Sequence, residues 1–72
     1  MAKIAWQLGK VSWFDPSAGK GVIEGQDGLN YFVHYSSIDS DQKWKSLKKG
    51  ANVRFQSFPD PKINQAHKVK VA

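Results

Sequence analysis

The chain has 72 residues, a mass of 8.1 kDa and 40% hydrophobic residues, enough for one small core and too little for a two-domain enzyme, a solenoid or a large cofactor cradle. Eleven basic residues against six acidic ones give a net charge of +5 and a pI near 9.7, a balance that favours polyanionic partners. There is no cysteine, which excludes a disulfide framework, a thiolate nucleophile and a Cys-based zinc site.

The first predicted strand runs from about Ile4 to Phe14. Asp15-Pro16-Ser17-Ala18-Gly19 breaks it, because proline presets a turn dihedral and glycine permits positive φ. A second strand covers about Lys20 to Glu24, and Gly25-Gln26-Asp27-Gly28 turns the chain into a third, about Leu29 to His34. Short loops make these three an antiparallel meander. Ser36 to Asp39 reads as one helical turn, and Asp39 to Gly50 as a polar, lysine-bearing loop anchored by Trp44 and Leu47. A fourth strand, about Ala51 to Phe58, alternates Val53 and Phe55 against Arg54 and Gln56. Pro59-Asp60-Pro61-Lys62 turns into a last strand, about Gln65 to Val71, alternating Val69 and Val71 against Lys68 and Lys70. Strands grouped three plus two suit a small closed barrel, which has no exposed sheet edge.

Strand alternation then assigns faces. Val33 and the Tyr31 ring point inward, so Phe32 and His34 point outward. Ile23 goes inward and Lys20 outward. Val11 in the core and Trp13 on the surface are compatible only with a bulge or strong twist near Ser12. Trp13, Phe14, Phe32 and Tyr35 each have an ordinary alternative as core residues. Three Trp, four Phe and two Tyr are nevertheless more than so small a core accommodates. Surplus rings beside lysines suit single-strand binding, with rings stacking bases and cations following phosphates.

Several chemistries find no support. Gly19-Lys20 lacks the first glycine and the Ser/Thr of a phosphate loop. His34 and His67 have no carboxylate at metal-ligand spacing, and the acidic residues are scattered through turns. No enzyme, cofactor, metal or small-molecule substrate is expected. Residues 1–8 lack the apolar run of a signal peptide, and no stretch approaches a membrane span, so the expected setting is the cytoplasm.

Gly9-Lys10-Val11-Ser12-Trp13-Phe14-Asp15, Gly19-Lys20-Gly21-Val22-Ile23, Asp27-Gly28, Tyr31-Phe32-Val33-His34-Tyr35-Ser36-Ser37-Ile38 and Lys45-Ser46-Leu47 resemble the cold-shock domain, in order over nearly the whole chain. The resemblance implies an all-β fold, a five-stranded antiparallel OB-type barrel, in one domain over residues 1–72. It implies binding of single-stranded RNA or DNA with low sequence preference, RNA-chaperone behaviour and a monomer. Phe32-Val33-His34 resembles the second ribonucleoprotein motif. The first departs from the family's Lys-Gly-Phe-Gly-Phe-Ile: Ala18-Gly19-Lys20-Gly21-Val22-Ile23 keeps both glycines and loses both phenylalanines. The family also tends toward acidic or neutral chains.

On this reading Trp13, Phe32, His34 and Tyr35 stack bases, Lys10 and Lys20 neutralise phosphates, and Phe14 supports the platform's edge. Trp44 stacks a terminal base or pins its loop. Ile4, Trp6 and Leu8 alternate ahead of the family's usual start; extra strand and core cover is the expectation, a partner-binding edge the alternative. Two rival functions stay open. One is a protein-interaction or structural module with a weakened nucleic-acid face; the other is a ribosome- or polymerase-associated barrel that meets folded RNA.

Overall fold

A computed structural model describes residues 5–39, 46–58 and 63–72. Five strands close into a barrel: β1 (Ala5–Asp15), β2 (Lys20–Gly25), β3 (Asn30–His34), β4 (Asn52–Phe58) and β5 (Gln65–Val71), with a 3-10 turn at Tyr35–Ser37. The order round the barrel is β1-β2-β3-β5-β4. The β1–β2, β2–β3, β4–β5 and β1–β4 seams are antiparallel, as expected. The closing β3–β5 seam is parallel and sparse: Phe32 pairs with Gln65, and an isolated parallel bridge joins Ile38 to Val69.

The turns form for local reasons. Oδ1 of Asp15 accepts the amide N–H of Ser17 at 3.0 Å, and the Gly19 amide returns to the Asp15 carbonyl at 2.8 Å. Gly19 sits at φ 68°, and a Cβ there would lie 2.8 Å from Cδ1 of Tyr35. Glycine is therefore required twice over, by the backbone and by the ring lying on it. The β2–β3 turn is closed by the Gly28 amide donating to the Gly25 carbonyl at 3.0 Å.

The core comprises Val11, Ile23, Tyr31, Val33, Ile38, Leu47, Val53, Phe55, Ala66 and Val69. Leu47 is buried, so that part of the long loop is anchored as expected. The Tyr31 hydroxyl donates to Asp27, and the Gln7 side-chain amide donates to both at 3.2 Å. Burial and the Asp27 hydrogen bond raise the Tyr31 phenol. Burial also pushes the Asp27 carboxyl upward, but hydrogen bonds from Tyr31, the Leu29 amide and Gln7 outweigh it and leave that carboxyl lowered.

Two expectations need correction. Trp6 and Leu8 continue β1 against β4, but each is 49% exposed and neither covers the core. Val11 sets the phase of the strand, so Gly9 and Gln7 take the inward positions. The space above Gly9 is already full: a Cβ there would lie 3.0 Å from both Ile23 and Phe55. Ile4 lies outside the described residues. Val71 is 66% exposed although it pairs with the buried Val53 and shares the phase of Val69, because it is the last residue of β5 and lies at the barrel's end.

A bulge in β5 lies where Arg54 pairs with Lys70 but Gln56 with His67, so Lys68 and Val69 together oppose Phe55. Ala66 and Val69, three apart, are consequently both buried. Lys68 holds φ at 50°, a conformation that costs an ordinary L-residue roughly 1–2 kcal/mol. Asparagine tolerates it better. Lys68→Asn is expected to raise stability by about 0.5–1 kcal/mol, and Lys68→Val to lower it. Urea unfolding checks this: the midpoints should move in opposite directions at constant slope.

Candidate nucleic-acid interface

The second bulge builds the site. Along β1, Val11 pairs with Ile23 but Trp13 with Val22, so Ser12 is the extra residue. Val11 is 2% exposed and Trp13 43%: of the two possibilities at Ser12, the bulge is the one that occurs. The register then sets a row across three strands, Trp13 on β1, Val22 on β2 and Phe32 on β3. A second row runs Asp15, Lys20, His34. Phe32 is 46% exposed and its neighbours Tyr31 and Val33 are buried, as the alternation requires.

Tyr35 extends the surface from β3 into the 3-10 turn. It is 51% exposed and lies 4.5 Å from His34 between ring centroids, tilted by 42°. Nδ1 of His34 accepts the Ser36 amide N–H at 3.3 Å and lies 2.8 Å from its hydroxyl. In the neutral ring this leaves the proton on Nε2, where it can donate to a base. Phe14 is half-buried against the core, and Gly21 makes room for it: a Cβ on Gly21 would lie 2.8 Å from the Phe14 ring and 2.4 Å from the Trp13 carbonyl oxygen. Phe14 thus sits where it can hold the platform but offers little surface to a ligand.

Lys20 is exposed beside His34, in the middle of the face. Lys10 is exposed too, but it lies on the other side of the Ser12 bulge, paired with Glu24 and Asn52, outside the ring cluster. Trp44 lies outside the described residues. Sequence reasoning missed a groove of about 290 Å³ beside the rings, lined by Lys20, Phe32, His34, Ser37, Ile63 and Gln65. Ile63 is 49% exposed. The signal available was one apolar residue stranded between a proline turn and a polar strand start. Among the described residues, no group of three potential metal ligands exists, and no helix is long and apolar enough to cross a membrane.

Exposed rings and cations on the outward face of a closed five-stranded barrel define a nucleic-acid-binding β-barrel. The 'Cold-shock' DNA-binding domain matches residues 7–72, and the chain belongs to the cold-shock domain family. It is 43% identical over 65 residues to cold shock protein CapB of Pseudomonas syringae pv. tomato, covering 90% of this chain and 93% of that one. It is 43% identical over 63 residues to the cold shock-like protein of Thermotoga maritima, 88% and 94% of the two chains. The cold shock-like protein CspC of Bacillus cereus is 41% identical over 61 residues, 85% and 92% of the two.

Proposed function

We propose that this protein binds single-stranded RNA or DNA with low sequence preference, as one cytoplasmic, monomeric domain, and that it acts as an RNA chaperone by capturing melted strands. The row Trp13–Val22–Phe32 carries the reading: two exposed rings stand on either side of a valine on a face that also holds Lys20. Bases stack on Trp13, Phe32, His34 and Tyr35. Lys20 and Lys10 take phosphates, and their share is large because Lys20 and Val22 stand where the family's first motif has rings.

The test is Phe32→Ala. It is expected to weaken binding of oligo-dT and oligo-U by about 1–3 kcal/mol and to leave folding intact, since Phe32 is half exposed. In the wild type, engagement of about three to five cations gives a slope of log K against log salt of roughly −2 to −3.5. Duplex of equal length should bind more weakly. Equal binding of duplex and single strand with a steep slope would mean a basic surface that reads no bases. No binding at low salt would favour the protein-interaction module instead.

A further inference from the structure

A second ring-and-cation surface lies on the barrel outside the platform. Trp6, Leu8 and Lys10 share the outward face of β1, next to Arg54 on β4, which in turn pairs with Lys70 on β5. The Arg54 guanidinium lies 4.9 Å from the centroid of the Trp6 ring. This places a planar cation against an indole that is still 49% exposed. Two acids border the face: Glu24 opposite Lys10, and Asp39, which pairs with Lys70 at 3.4 Å. Among the described residues no acid pairs with Arg54.

We infer that this face is a second contact track for single-stranded nucleic acid, used by strands too long for the platform alone; it rests on the proposed function. Three observations select that occupant. The composition repeats that of the platform, an exposed tryptophan beside cations, which suits stacked bases and phosphates together. The track is continuous with the platform, because β1 carries both: Trp6, Leu8 and Lys10 before the bulge, Trp13 after it. Seven residues of strand span roughly 23 Å, a distance a strand of several nucleotides covers, and Lys10 stands between the two ring sites. A second copy of this chain is disfavoured, because a two-fold contact would bring together two faces that both carry net positive charge, Lys10, Arg54 and Lys70 against Glu24 and Asp39. The position of Lys10 outside the ring cluster is thereby explained: it guides phosphates from one site to the other.

Oligo-dT of roughly six and roughly fourteen nucleotides, both within the ~4–16 covered by barrels of this kind, separates the two sites. Trp6→Ala and Arg54→Glu are each expected to weaken the longer strand by about fivefold or more and to leave the shorter within about twofold, read by anisotropy of labelled oligonucleotide. Arg54→Glu removes a cation from an exposed position, so its fold is secure even where Trp6→Ala loses stability. Phe32→Ala should weaken both lengths. If Trp6→Ala and Arg54→Glu leave the longer strand unchanged, or weaken both lengths equally, the track does not exist. A wild type that sediments as a dimer, dissolved by Trp6→Ala, would equally overturn it. Failure of the platform itself would show differently, as a shorter strand indifferent to Phe32→Ala.

Discussion

Lys20→Phe combined with Val22→Phe is expected to tighten binding of pyrimidine-rich single strands by as much as roughly 2–6 kcal/mol, two stacking contacts at about 1–3 each. Val22 stands between Trp13 and Phe32 in one cross-strand row, so a ring there joins the two into a continuous surface. Lys20 lies exposed beside His34, where a ring extends the row that leads to Tyr35. Gly21 is unchanged, and with it the close approach to Phe14 and Trp13 that sets the strand's path. The gain will fall short of the sum, since contacts in one platform couple. Loss of the Lys20 charge should also make the salt slope shallower by about 0.7. Titration at two salt concentrations reads both effects. An affinity that does not move would mean that β2 does not line the binding face.

Phe55→Ala is expected to remove about 3–5 kcal/mol of stability. Phe55 is fully buried, its ring lies 5.2 Å from that of Tyr31, and it fills the space over Gly9. At ~0.05–0.15 kcal/mol per residue, a domain of this length holds roughly 4–11 kcal/mol in total. The loss therefore takes roughly a quarter of the stability at the upper end of that range and all of it at the lower end. Phe55→Leu, which keeps most of the volume, should cost under about 1.5 kcal/mol. Urea unfolding followed by circular dichroism separates the two; an alanine variant with a wild-type midpoint would show that the core lies elsewhere.

The five strands, the turns between them and the outward set Phe32 and His34 are legible because they rest on local rules: proline and glycine at turns, and period-two alternation. The need for a bulge at Ser12 was legible as well, from the conflict between Val11 and Trp13, though its form was not. Core cover by Trp6 and Leu8 is an expectation from hydrophobicity, although counting back in twos from Val11 puts Gln7 and Gly9 inside. The phase of the strand, not the hydrophobicity of the two side chains, decides which face they take. The bulge at Lys68 was hidden, because nothing local marks a lysine as the residue that takes positive φ. The parallel closure of β3 on β5 and the groove beside Ile63 depend on how distant strands meet, which no local pattern encodes.

The sparse β3–β5 seam gives the barrel a line along which it can part. The Phe32 amide donates to the Asn64 carbonyl at 2.8 Å, and farther along the Asp39 amide donates to the Val69 carbonyl at 2.8 Å. Phe32 and Ile63, on the two lips, line one groove. A ligand resting in that groove would touch both lips and so would favour the closed barrel over any form in which the seam has parted. Occupancy and closure then become one linked equilibrium, in which ligand at a hundred times its Kd adds about 2.7 kcal/mol to the stability of the closed state. On the proposed function, a strand bound in that groove would serve so small a domain as a sixth structural element, laid across the joint that its own site straddles.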